Sequence, residues 1–152
     1  MSLVTRLQTP FMRAHHWLYV HTDGRIGHRL LEVPTLLLRT VGRRSGQTRV
    51  SGLTYAMDGD AWLVVPSNGG DDRAPGWLHN VRAQPAVEVQ VQRRRAAAVA
   101  EVVERGDPEH PRLWSLVNGV NHGRYERYQG KTERPIPVVR LTPRSSPGPP
   151  ST

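Results

Sequence analysis

Leu53-Thr54-Tyr55-Ala56-Met57-Asp58-Gly59-Asp60-Ala61-Trp62-Leu63-Val64-Val65 sets two apolar runs on either side of an Asp-Gly pair. In the first run Leu53, Tyr55 and Met57 alternate with Thr54 and Ala56, the period of a strand with one buried face. Asp-Gly between such runs is a strong hairpin signal, because glycine takes the positive φ that a tight reversal requires. The segment therefore predicts a strand from about Thr48 to Met57, a turn at Asp58-Gly59 and a strand over Ala61–Val65.

Working outward, Leu36-Leu37-Leu38 reads as a buried strand over Thr35–Val41, ended by Gly42. Downstream, Asn68-Gly69-Gly70 breaks the chain, and Pro75 opens a helix through Ala83 with Trp77 and Val81 on one face. Period-two alternation returns at Val87–Val91 and Ala98–Val103. Asp107-Pro108 opens a helix carrying Leu113, Trp114 and Val117, a polar aromatic stretch runs from Asn121 to Lys131, and Ile136–Leu141 is a last strand. Strands and helices do not alternate regularly, so the order predicts α+β with an antiparallel barrel-like sheet, and not a doubly wound parallel sheet.

At the front, Thr9-Pro10 is an N-cap pattern, and Leu7, Phe11, Ala14 and Leu18 recur at helical spacing to about Val20. Arg13, His15 and His16 interrupt this short stripe, which favours packing on the domain over membrane docking and leaves weak membrane association as the minor reading. The expected organisation is a lead-in over residues 1–33, a domain over 34–142 and a disordered Ser/Pro/Gly-rich tail over 143–152.

The 152 residues suit one core. Lack of cysteine removes disulfides, thiol chemistry and Cys-type metal sites. The longest apolar segment, Leu30–Leu38, is broken by Glu32 and Pro34, and the expectation is a soluble cytoplasmic protein. A net charge of +8 favours an anionic partner: nucleic acid, acidic lipid or a phosphorylated cofactor.

Arg43-Arg44-Ser45 between Gly42 and Gly46, with Arg49 beyond, forms a basic loop between two strands. Glycines let backbone N–H groups converge, and arginines add charge-assisted bonds, an arrangement that suits a phosphate as well as it suits a solvated hairpin turn. It lacks both P-loop and dinucleotide spacing. Glycines in Ser67-Asn68-Gly69-Gly70 permit a flat ring against backbone, with Trp77 to pack on it and Asn80 for polar edges, although a lone Trp is more often core. The adjacent His15-His16 pair does not make a metal site, and neither Ser45 nor Ser67 sits in a Gly-x-Ser-x-Gly elbow. A nucleic-acid-binding barrel is the competing class, with Arg93-Arg94-Arg95 and the basic loop on phosphates; an aromatic content of 6% and localised glycines weigh against it.

Gly42-Arg43-Arg44-Ser45-Gly46, Ser67-x-Gly69-Gly70, Pro75-x-Trp77-x-x-Asn80, Tyr125-x-x-Tyr128 and Arg134-x-Ile136-Pro137 together resemble the deazaflavin-dependent nitroreductase family over roughly Pro34 to Leu141. The resemblance implies a split β-barrel, related to flavin-mononucleotide-binding barrels, that holds reduced coenzyme F-420, whose phosphate and oligoglutamate agree with the basic loop. It implies Arg43, Arg44, Ser45 and Arg49 at the phosphate, Val50 and Thr54 along the groove, Val65, Pro66 and Ser67 at the ring, and Gly76, Trp77 and Asn80 approaching from a helix. Tyr125 and Tyr128 would lie beside a small organic substrate and, with Ser67, nearest the chemistry. Arg44 replaces a lysine common in that loop, and Thr54 and His122 stand where nitroreductase-type members carry tyrosines. That leaves an enone, a quinone or a nitro compound as substrate, and flavin mononucleotide as the alternative cofactor on the same barrel.

Overall fold

In a computed structural model, which describes residues 33–145, the strand predicted from Thr48 to Met57 is interrupted at Tyr55. The elements are β1 (Thr35–Val41), β2 (Thr48–Thr54), β3 (Ala56–Asp58), β4 (Ala61–Val64), a 3-10 turn (Asn68–Gly70), α1 (Gly76–Ala83), β5 (Ala86–Val91), β6 (Arg94–Val103), α2 (His110–Val120), α3 (Arg124–Gln129) and β7 (Val138–Pro143). The predicted N-terminal helix lies outside the described residues.

All pairings are antiparallel, and the seven strands lie in the order β2-β1-β5-β6-β7-β4-β3. The two outermost strands, β2 and β3, are separated in sequence by Tyr55 alone. A flat sheet of seven strands would hold its edges about 29 Å apart, whereas Thr54 and Ala56 Cα atoms are at most about 7 Å apart, so the sheet has to curl until its edges meet. Tyr55 sits at that seam, its N–H bonded to the Pro34 carbonyl at 3.1 Å. The antiparallel split-barrel expectation is met.

Because the chain changes partner strands at Tyr55, the predicted alternation does not continue past it: Ala56 is buried and Met57 is exposed. β4 faces two cores. Val64 packs with Leu36, Leu38, Val89, Leu141 and the α1 residue Trp77, while Leu63 and Val65 pack with Leu113, Trp114 and Tyr125 beneath α2 and α3. Arg112 fastens α2 to the β3 end through Asp58, at 2.8 and 3.1 Å.

Three further boundaries differ from expectation. The α2 helix begins at His110 because Asp107 is used in a turn, its carboxylate accepting the Glu109 N–H at 2.9 Å. β7 runs to Pro143, opposite Ala98, and Arg144 N–H bonds Ala97 O at 2.8 Å, so the expected disordered tail does not begin at 143. Arg94 and Arg95 are in β6, and only Arg93 of the triple arginine lies in the connection from β5.

Candidate functional site

β1 and β2 end together at the Val41–Thr48 pair, and Gly42–Gln47 closes them. Gly42 N–H bonds Gln47 O at 2.7 Å, Gly46 N–H bonds Gly42 O at 2.8 Å, and Gln47 N–H bonds Ser45 Oγ at 3.2 Å. Gly42 is required by close approach, since a Cβ there would lie 2.7 Å from Ser45 Oγ and 3.1 Å from Gln47 O. The tight turn leaves Arg43, Arg44, Ser45 and Arg49 exposed together at one end of the barrel. Arg93 turns beyond the Thr35 end of β1, and Arg94 and Arg95 run back on β6 level with Leu36 and Leu37, so the triple arginine lies toward the other end of the strands from the Gly42–Arg49 loop.

α1 braces the loop from below. Asn80, 5% exposed, accepts the Arg43 N–H on Oδ1 at 3.1 Å and donates from Nδ2 to Thr40 Oγ1 at 3.2 Å. Its amide is thus engaged with the loop. Trp77 is 7% exposed and packed among core side chains, and Gly76 is exposed at the start of α1.

Val50 and Thr54 share one face of β2, half-buried. At the far end of that strand the Thr54 side chain lies beside the Tyr125 phenol, as does Asn121. Tyr125 is 7% exposed, and burial, with Tyr128 adding to it, pushes its phenol well above the usual range while the Thr54 and Asn121 side chains pull the other way. Tyr128 packs edge-on against Tyr125, centroids 6.4 Å apart. The second wall is the end of β4, where Val65, Pro66 and Ser67 are all buried. Gly70, at φ +87, meets the tyrosine segment so closely that a Cβ would lie 2.8 Å from Tyr128 O.

The arginine loop and the buried phenol thus lie at the two ends of β2, with Val50 and Thr54 on one face of that strand. Two residues that were not assigned roles adjoin these parts: Asn121, 4% exposed beside Tyr125, and Arg134, whose guanidinium bonds the carbonyls of Pro66 and Ser67. Arg134 was visible only as part of a motif. His122 is exposed, at φ +61.

A family model described as F420H2-dependent quinone reductase matches residues 11–143. The chain belongs to that family. A Mycobacterium tuberculosis protein named an F420H2-dependent quinone reductase is 51% identical over 134 residues, 88% of this chain and 90% of the relative. A solved F420-H2-dependent reductase superposes with a TM-score of 0.63 at 33% identity, covering 71% of this chain and 93% of its own. Another solved structure, described as a domain-swapped dimer, gives a TM-score of 0.66 at 30% identity over 88% of this chain and 98% of its own. The resemblance read from the sequence holds at the level of deazaflavin-dependent reductases, while the matched family carries the name of quinone reduction. This F420H2-dependent family member is an oxidoreductase, with coenzyme F-420 as its cofactor.

The residues present fit that group. Three exposed arginines and a serine hydroxyl at one end complement a phosphate with an acidic tail, and buried Val65 and Pro66 beyond β2 complement a flat apolar ring. Among the described residues, no helix is long and apolar enough to cross a membrane.

Asn80→Ala removes the brace beneath Arg43 without touching a charge. Loss of one buried hydrogen-bonding group costs about 1–1.5 kcal/mol, so coenzyme affinity should fall about tenfold in a fluorescence titration, with Arg43 still present.

Proposed function

We propose that this chain reduces quinones with reduced coenzyme F-420, the acidic coenzyme held at the Gly42–Arg49 end of the groove and the quinone beside Tyr125. When bound, the reduced deazaflavin supplies the hydride. Arg43, Arg44 and Arg49 hold the phosphate region with charge-assisted bonds, and the Ser45 hydroxyl adds a neutral one. Val50 and Thr54 line the passage, and Val65, Pro66 and Ser67 press on the ring from the β4 end. Gly76, Trp77 and Asn80 support the same wall from α1, Asn80 by fixing Arg43 and Trp77 by packing.

Tyr125 holds its proton at neutral and mildly alkaline pH because burial disfavours the phenolate. A protonated phenol can donate a hydrogen bond to a quinone oxygen and stabilise the negative charge that develops there on hydride transfer, solvent supplying the proton. Tyr128 sets the ring angle of Tyr125 and lines the entry. The observation that carries this reading is the buried, neutral phenol at one end of β2, with the arginine loop at the other.

The test offers reduced coenzyme with a naphthoquinone, a cyclic enone and a nitroaromatic. Quinone turnover should exceed the other two by about tenfold or more in kcat/KM, a difference of about 1.4 kcal/mol in transition-state binding. Preference for the enone or the nitro compound would reject the quinone assignment. Equal turnover with reduced flavin mononucleotide, which also carries a phosphate, would reject selectivity of the site for the deazaflavin.

A further inference from the structure

We infer that Arg134 is a positioning residue for this reaction: its guanidinium ties the ring-side wall at Pro66–Asp71 to the segment that follows Tyr128, and so sets the width of the groove. The inference rests on the reading just given. Arg134 Nη2 donates to Pro66 O at 3.1 Å and to Ser67 O at 2.9 Å, while Nε donates to Asp71 O at 3.0 Å. Three carbonyls of one chain reversal are thus gathered on a single side chain. Only a planar fork of several fixed donors can do this; a lysine ammonium at the same position offers a point charge that cannot span all three.

The clamp is itself held. Gln129 Nε2 donates to Arg134 O at 2.9 Å, Arg134 N–H bonds Thr132 Oγ1 at 3.3 Å, and Thr132 Oγ1 donates to Asp72 at 2.7 Å. Gly70 meets Tyr128 O so closely that no side chain fits between the walls. Tyr128, one turn after Tyr125, is thereby held against Gly70, three residues after Ser67. Asp71 and Asp72 attract the Arg134 charge, while the hydrogen bonds of its fork go to backbone carbonyls. None of its contacts reaches the Gly42–Arg49 loop, so binding and reaction geometry should separate on substitution.

The experiment compares wild type, Arg134→Lys and Arg134→Ala in three readings. Coenzyme dissociation constants, from fluorescence, should stay within about twofold, because the anion-binding end is intact. The single-turnover hydride-transfer rate, expressed per bound coenzyme so that unfolded molecules do not count, should fall about thirtyfold in Arg134→Ala and about tenfold in Arg134→Lys, with quinone KM little changed, since small misplacements of reacting groups cost up to about a hundredfold. Amide hydrogen exchange without coenzyme should quicken over Ser67–Asp72 and stay unchanged over Arg43–Arg49.

If rate per bound coenzyme stays within twofold of wild type, or falls only in parallel with coenzyme affinity, Arg134 is structural and the inference is overturned. Should Arg134→Ala fail to fold, Arg134→Lys decides by the same criteria. Should wild type bind coenzyme but reduce no quinone, the quinone reading fails by itself, and hydride transfer to the preferred acceptor then decides the role of Arg134.

Discussion

Replacing Arg43 and Arg49 together by alanine is expected to weaken coenzyme F-420 binding about a hundredfold, the largest effect on affinity available in this chain. Both guanidinium groups are exposed, so each charge-assisted contact with a phosphate is worth about 1–1.5 kcal/mol after screening, and two multiply to roughly that factor. Raising salt should weaken wild-type binding more steeply than binding to the double variant, which keeps only Arg44 of the three loop cations. Arg93→Ala makes the control: it removes one exposed positive charge beyond the opposite end of β1 and should change affinity by less than about twofold. Fluorescence titrations at two ionic strengths check all three statements. Equal losses in Arg93→Ala and the loop variants would mean that net charge, and not the loop, attracts the coenzyme.

Tyr125→Phe is expected to lower the hydride-transfer rate about a hundredfold while leaving coenzyme affinity within about twofold, the usual contribution of one positioned hydrogen-bond donor to a developing oxyanion. Phenylalanine keeps the packing against Trp114 and Tyr128, at 6.3 and 6.4 Å, so the loss isolates the hydroxyl. The phenol also fixes a pH dependence. Its folded value lies above its unfolded value of about 10, so the unfolded chain releases that proton first as pH rises. Stability from the buried neutral phenol is therefore fully present below pH 10 and declines above it, and the decline should be shallower in Tyr125→Phe. Denaturant melts at pH 8 and pH 11 test the sign. Activity that falls near pH 10 with a tyrosine-like titration in wild type, and not in the variant, would contradict a strongly buried phenol.

Local signals carried most of the architecture. The reversal, the leucine run of β1 and the alternation in β5 and β6 depend on neighbours in sequence, and each element forms, although the turn falls one residue later than predicted, on Gly59-Asp60 with Gly59 at φ +62, and β6 begins four residues before its pattern. The break at Tyr55 was not legible, because Leu53, Tyr55 and Met57 keep one unbroken period while the chain passes from one edge of the sheet to the other. Pairing partners decide that event, and sequence period does not report them.

The site divides in the same way. The arginine loop was readable because its charges and glycines are contiguous. Asn80 was marked for the ring, yet its amide turns to Arg43 and Thr40, a use fixed by helix packing. Trp77 follows the ordinary expectation for an aromatic at helical spacing and enters the core. Arg134 reaches carbonyls 67 and 68 positions earlier in the chain, and no local pattern announces a contact of that range.

The most direct test is a crystal structure of the chain soaked with coenzyme F-420. The expected density places the phosphate within hydrogen-bonding distance of Arg43, Arg44, Ser45 or Arg49, with the ring lying between the Val65–Ser67 wall and Tyr125. Density with the phosphate away from the Gly42–Arg49 loop, or with the ring outside the groove that ends at Tyr125, would contradict the assignment of this groove as the coenzyme site.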